Sequence, residues 1–262
     1  MTAIRSTPVA LTVAGSDSGG GAGIQADLKT FHSLGVFGAT AITCVTAQNP
    51  GGVSAIQRVE PDIVAEQIDR VFDALPVRAA KIGMLFDAGI IEVVADAFRR
   101  RKFHALVIDP VMIATSGARL LKKDAIAALR TQLLPVGALV TPNLAETEVL
   151  WQRRVRTAGD LREAARALAG HFGVPFLVKG GHWPVGGRAV DVLCDGRELY
   201  EFRAAYIRDA KPHGAGCTYS AAIAAHLALG HDLVDSIRRA KRFVTRAIRG
   251  SLRVGKHRAL NV

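Results

Sequence analysis

Val9-Ala10-Leu11-Thr12-Val13-Ala14-Gly15-Ser16-Asp17-Ser18-Gly19-Gly20-Gly21-Ala22-Gly23-Ile24-Gln25-Ala26-Asp27-Leu28 opens the regular part of the chain. A short apolar run, a glycine-rich turn and then Ile24, Leu28, Phe31 and Leu34 at helical spacing predict strand, loop and helix in succession. The alternation recurs to the end. Strands are predicted at Ala39 to Ala47, Val53 to Val59, Ala80 to Leu85, Leu106 to Ile108, Ala138 to Thr141 and Phe176 to Val178. Between them Val64, Ile68, Val71 and Leu75, then Ile90, Ile91, Val94 and Phe98, then Ile126, Leu129 and Leu133 mark helices, as do Leu161, Ala165, Leu168 and Phe172 behind a capping box at Thr157 and Asp160. Val190 to Leu193 and Leu199 to Phe202 read as an antiparallel pair around Asp195-Gly196. Strands with near-continuous apolar cores, mostly separated by single helices, imply a mostly parallel sheet covered on both faces. The expectation is one three-layer αβα domain over residues 1–262.

Composition narrows the function classes. Of 262 residues, 49% are apolar, enough for a sizeable core, and no run approaches a membrane span. The N-terminal residues run straight into a strand pattern without a signal-peptide layout, so a cytoplasmic address is expected. Cys44, Cys194 and Cys217 are far apart and suggest neither a disulfide framework nor a zinc site. The formal charge of +11 invites a nucleic-acid reading until it is located. Nine Lys or Arg follow Asp235 with no acid among them, whereas the chain before that point is nearly balanced at 25 basic and 23 acidic residues. In that last helix Ile237, Ala240, Val244, Ala247 and Ile248 keep a buried stripe, and the charges read as a solvated outer face. No aromatic stacking platforms accompany them, which argues against nucleic acid.

Ligands of such sheets bind beyond the carboxyl ends of the strands. Gly21-x-Gly23-x-x-Ala26 matches the dinucleotide fingerprint, but no acidic residue lies between Asp27 and Glu60, and no Gly-Lys-Ser/Thr follows. Asp27 can accept hydrogen bonds from a ligand or simply solvate its helix. Gln48 and Asn49 can read the edge of a nitrogen heterocycle or form a turn into Pro50-Gly51-Gly52, and locally the turn is the simpler reading. Later strands end at Asp109, at Asn143 with Glu146 one helical turn on, and at Lys179. Amide and carboxylate suit magnesium held through waters, and the lysine suits a phosphate.

His213-Gly214-Ala215-Gly216-Cys217-Thr218-Tyr219-Ser220-Ala221-Ala222 carries a glycine turn into an apolar helix. Such a junction leaves unpaired backbone N–H groups at a positive helix end, ready to bind an anion, or is simply a glycine turn before a buried helix; the segment alone favours neither reading. Cys217 sits in the first turn, where the helix field is expected to lower a thiol's pKa.

The motifs Ala14-Gly15-Ser16-Asp17, Gly19 to Thr30, Thr46-Ala47-Gln48-Asn49, Lys81-Ile82-Gly83-Met84, Asp109-Pro110-Val111-Met112, Thr141-Pro142-Asn143-Leu144, Lys179-Gly180-Gly181-His182 and His213 to Thr218 occur in order. As a set they resemble the ribokinase superfamily, and more closely the hydroxymethylpyrimidine/phosphomethylpyrimidine kinases of thiamine biosynthesis. The resemblance implies a ribokinase-like fold and phosphorylation, dependent on ATP and magnesium, of a pyrimidine alcohol and then of its monophosphate. It implies a homodimer. It assigns Gly15, Ala22, Asp27, Gln48, Met84 and Val111 to the pyrimidine pocket, and Gly214, Ala215, Gly216, Cys217 and Lys179 to catalysis. Lys179, Asn143 and Thr218 would face the nucleotide; Glu146, Asn143 and Asp109 would face the metal. Most of the superfamily carries Asp where this chain has Cys217. Ala215 replaces a usual Thr, Lys211-Pro212 stands where Asn-Thr is common, and Ala145 where Pro is frequent. The rival readings are a kinase of the same fold acting on pyridoxal, and a non-catalytic binding protein.

Overall fold

Strand β1 (Val9–Asp17) is buried along nearly its whole length and pairs in parallel with β2 (Phe37–Asn49) on one side and β4 (Val77–Ile82) on the other. The computed structural model that shows this describes residues 6–112, 120–122, 125–181, 186–208 and 213–262. From β4 the sheet continues in parallel through β5 (Leu106–Ile108), β6 (Leu139–Val140) and β7 (Phe176–Lys179). Antiparallel strands close both edges: β3 (Gly52–Arg58) beside β2, and β8 (Arg188–Cys194) followed by β9 (Leu199–Ala205) beside β7. The spatial order is β3-β2-β1-β4-β5-β6-β7-β8-β9, one continuous sheet of the expected kind.

Side chains alternate across each strand, and this alternation divides the core in two. Leu11, Val13, Leu106, Ile108, Phe176 and Val178 face a layer built from α2 (Pro61–Ala74), α3 (Ala88–Arg100) and α6 (Ala158–Phe172). Their neighbours Ala10, Val107 and Leu177 face α1 (Gly23–Ser33), α7 (Ala215–Ala228) and α8 (Leu233–Arg249). The αβα layering follows directly. The Thr157–Asp160 capping box is formed, with the Asp160 N–H donating to Thr157 Oγ1 at 3.1 Å and the Thr157 N–H to Asp160 Oδ2 at 2.8 Å.

Some boundaries differ from the pattern reading. Strand β2 runs on to Asn49 because β3 folds back against it from Cys44 to Asn49, so Gln48 lies within a strand rather than in a turn. The helix marked by Ile126, Leu129 and Leu133 is short: α4 (Ala125–Ala128) passes into a π turn (Leu129–Leu133) and a 3-10 turn (Leu134–Val136). Pro135 offers no N–H to continue an α-helix there. Helix α5 (Leu144–Trp151) extends the single helical turn expected at Asn143 and Glu146, and a terminal hairpin of β10 (Leu252–Val254) and β11 (His257–Ala259) carries no clear alternation and is not among the predicted strands.

In α8 the stripe Ile237, Ala240, Val244 and Ala247 is buried as expected, joined by Phe243, while Ile248 is half-buried. Lys241 is the exception among the basic residues: it turns inward, its Nζ 2.6 Å from Asp191 Oδ2. Arg242, Arg246 and Arg249 are exposed with no acidic partner among the described residues, and they line an open groove of ≈ 770 Å³ beside β9. Among the described residues no helix is long and apolar enough to cross a membrane. All three cysteines are free thiols.

Candidate active site

Gly214 caps α7 with a backbone φ of +84°, a conformation glycine adopts without penalty. A Cβ added there would lie 1.7 Å from the Gly21 carbonyl oxygen, so the start of α7 is pressed against the glycine loop. The helix's hydrogen bonding begins with the Thr218 N–H donating to the Gly214 carbonyl at 2.9 Å. The amides of Ala215, Gly216 and Cys217 meet no acceptor among the described residues. Gly216 is exposed and Ala215 half-exposed, so the turn is open. These are the free donors that the sequence predicted. Below them Thr218 is buried with its hydroxyl unpartnered.

The ends of β5, β6 and β7 bring charged groups to the same place. Lys179 Nζ donates to Asp109 Oδ1 at 2.7 Å, and Ser220 Oγ of α7 donates to Asp109 Oδ2 at 3.1 Å. A Cβ at Gly216 would stand 3.6 Å from Lys179 Nζ, which puts the lysine directly beneath the open turn. Burial works against the Lys179 ammonium, but Asp109 and then Glu146 outweigh it and hold its pKa above the usual value. Asn143 and Glu146 are held more tightly than a surface pair. Each caps the other at the start of α5: the Asn143 N–H donates to Glu146 Oε2 at 2.8 Å and the Glu146 N–H to Asn143 Oδ1 at 3.0 Å. Burial pushes the Glu146 carboxyl up to about 7, with Lys179 opposing and Asp109 adding to the rise. Among the described residues no three His, Cys, Asp or Glu side chains converge as a metal cage.

Across the turn lies a small apolar floor of Cys44, Met84 and Leu120, with Val111 packed against it. Gly15 fits only as glycine, since a Cβ would meet Cys44 Sγ at 2.7 Å and Met84 Sδ at 3.5 Å. The glycine loop above is shaped by Asp17. Its Oδ1 accepts from the Gly19 N–H at 2.8 Å, and its Oδ2 accepts from Gly21 at 3.1 Å and Ala22 at 2.8 Å. His213 Nε2 is 2.9 Å from Asp17 Oδ2 and 3.1 Å from the Gln48 side-chain nitrogen. Gln48 is half-buried, and its other terminal atom lies 3.1 Å from Thr46 Oγ1. The loop, the anion turn and Gln48 thus meet at one histidine.

Two expectations are corrected. Asp27 neither solvates its helix nor offers free oxygens to a ligand. It is wholly buried, accepting from Thr12 Oγ1 at 2.6 Å and from Lys81 Nζ at 2.9 and 3.1 Å. Cys217 does not have a lowered pKa. Burial pushes its thiol up to about 11; Lys81 pulls against this, while Asp27 and Asp109 reinforce it. The residue is half-buried rather than enclosed. Pattern reading also gave no role to Lys81, Asp17 or His213. Lys81 had a visible signal, a lysine inside a strand whose last four positions are all buried. His182, Lys211 and Pro212 lie outside the described residues.

A family model described as phosphomethylpyrimidine kinase matches residues 17–261. The chain is 49% identical over 257 residues to the hydroxymethylpyrimidine/phosphomethylpyrimidine kinase of Rhizobium meliloti, covering 96% of this chain and 95% of that one. The crystal structure of an ADP complex of Bacillus subtilis pyridoxal kinase superposes with a TM-score of 0.90 at 37% identity, covering 98% of this chain and 97% of that chain. Phosphomethylpyrimidine kinase from Clostridium difficile gives 0.81 at 37% identity, over 92% of this chain and 100% of that one.

Proposed function

Because the chain belongs to the phosphomethylpyrimidine kinase family, we infer that it phosphorylates hydroxymethylpyrimidine, and then the monophosphate to the diphosphate, in thiamine biosynthesis. The observation that carries this reading is the open amide turn at Ala215 to Cys217, with Lys179 beneath it and the Gly15–Met84 floor alongside. A loose phosphoryl-transfer transition state asks for positioning and charge neutralisation more than for a strong base. The free amides and Lys179 supply both. Cys217 takes the hydroxyl proton as its thiolate, the minor form of a thiol that burial pushes up to about 11, and it does so late, as the new oxygen–phosphorus bond forms.

The residues present fit ATP. The open amides and Lys179 suit its phosphates, and the unpartnered Thr218 hydroxyl is a buried polar group in need of a ligand or water. They fit magnesium as well. Asp109 and Glu146 offer only oxygen, and a buried carboxyl held near neutrality is one that a cation would ionise. Asp109, Glu146 and the Asn143 carboxamide would hold the ion through waters and phosphate oxygens. When bound, it would offset charge on the transferring phosphoryl group.

The continuous nine-stranded sheet supports reading the chain as one kinase domain. Exposed Phe37, Val45 and Ile63 around β2 and α2 support a homodimer. A cytoplasmic address fits a biosynthetic kinase. Nucleic acid remains outside the reading. ADP release coupled to the alcohol and to its monophosphate as separate acceptors tests the assignment; turnover with neither would sink it. The likeness to a pyridoxal kinase makes pyridoxal the comparison substrate, with the pyrimidine expected to be preferred.

A further inference from the structure

His213 holds two contacts through one ring nitrogen, and those contacts decide where the protons sit. Nε2 is 2.9 Å from Asp17 Oδ2 and 3.1 Å from the Gln48 carboxamide. Asp17 already accepts from three loop amides, and these with His213 outweigh the effect of burial and hold its carboxyl below the usual range. It is a carboxylate without a proton to donate. The hydrogen in its contact with His213 therefore belongs to Nε2. An N–H at that position can meet only an acceptor, so the atom of Gln48 that faces it must be the carboxamide oxygen, not the nitrogen.

The far end of the amide gives the same answer independently. Thr46 Oγ1 lies 2.8 Å from the Ser16 carbonyl and 3.1 Å from the terminal atom of Gln48. A hydroxyl has one hydrogen, and the shorter contact to a carbonyl claims it. Its remaining lone pair then needs a donor, which the Gln48 NH2 supplies. Turned this way, the Gln48 oxygen shares the one Nε2 hydrogen with Asp17, the NH2 donates to Thr46, and the Thr46 hydroxyl keeps its hydrogen for Ser16. In the opposite orientation the Gln48 NH2 would meet the Nε2–H donor to donor, or a bare Nε2 would face the carboxylate.

We propose that His213 is a specificity-determining positioning residue: anchored on Asp17, it fixes the Gln48 carboxamide so that one N–H, and no free carbonyl, faces the acceptor pocket. This rests on the reading that Gln48 lines that pocket. The pocket then selects a heteroaromatic alcohol that brings a lone pair, an unprotonated ring nitrogen, to the amide, and disfavours a ring presenting N–H at the same edge.

The test compares kcat/KM for hydroxymethylpyrimidine with that for the analogue in which the ring nitrogen facing Gln48 is replaced by CH. The wild-type enzyme should disfavour the analogue by about 10- to 100-fold, the effect of leaving a buried donor unpaired. In His213→Phe the ratio should collapse to within about threefold, since the amide is free to turn. A ratio unchanged in His213→Phe, with both substrates slowed alike, would reduce His213 to packing and overturn the proposal. Gln48→Glu is the second variant, in case the first fails to fold: it keeps an acceptor toward His213 but has no proton for the ring, so its ratio should also collapse. Absence of any wild-type turnover on the pyrimidine would instead remove the underlying kinase reading.

Discussion

Lys81 Nζ lies 2.9 Å from Asp27 Oδ2, and neither side chain reaches solvent. Burial opposes the ammonium, but Asp27, and beyond it Cys217 and Asp109, hold its pKa above the usual lysine value. An ion pair of this kind is costly to break from one side and cheap to replace whole. Lys81→Met alone should cost about 3–5 kcal/mol by leaving a buried carboxylate unpaired. Asp27→Leu combined with Lys81→Met should recover most of that loss in urea denaturation. Failure to recover would mean that the pair is needed for the fold itself.

Cys217→Ala should lower kcat strongly while nucleotide affinity changes little. Because the thiol is held up to about 11, turnover limited by proton transfer should climb as pH rises from 7 to 9 in the wild type. Cys217→Asp, ionised throughout that range, should give a flatter profile. Unchanged turnover in the alanine variant would remove Cys217 from the reaction.

Glu146 gives a pH dependence of opposite sense. Its folded pKa of about 7 exceeds the ordinary glutamate value of 4.5, so the folded state binds the extra proton between those limits. This group's contribution to stability therefore falls as pH rises from 4.5 through 7, at no more than about 1.4 kcal/mol per unit. Magnesium, which requires the ionised form, should bind more tightly over the same rise and offset the loss. Thermal unfolding of the metal-free protein with and without Glu146→Gln checks the sign.

Gly214→Ala meets both a left-handed backbone, at about 1–2 kcal/mol for an L-residue, and a steric overlap with the Gly21 carbonyl. The expected result is a loss of about 2 kcal/mol or more, with kcat falling further than that instability explains. Full activity would mean that the turn tolerates rearrangement.

The triple change of Arg242, Arg246 and Arg249 to Gln removes three exposed charges that have no acidic partner among the described residues. If they only solvate α8, stability should shift by no more than about 0.5 kcal/mol per site. A rise in KM for ATP that vanishes at high salt would instead give them a part in steering anions.

The layers and the open turn were legible because each rests on a local rule. Alternation along Leu106–Ile108 and Phe176–Lys179 sorts their residues between two helix layers, and Gly214-Ala215-Gly216 before an apolar helix marks a turn, open or ordinary, at a helix start. Lys81, Asp17 and His213 escaped because their partners are remote in sequence; His213 and Asp17 are 196 positions apart. The pKa of Cys217 was misjudged for a related reason. A helix end is visible in the sequence, whereas the surroundings that desolvate a thiol are assembled by the fold.

Asp17 draws the amides of Gly19, Gly21 and Ala22 onto its own carboxylate. Those donors are therefore not on offer to a phosphate, and this turn and the one at Gly214 divide their labour, one closed upon itself and the other open. The closed loop is held by its own hydrogen bonds without any acceptor. Association should then carry little ordering entropy and a small heat-capacity change, the calorimetric signature of a rigid receptor.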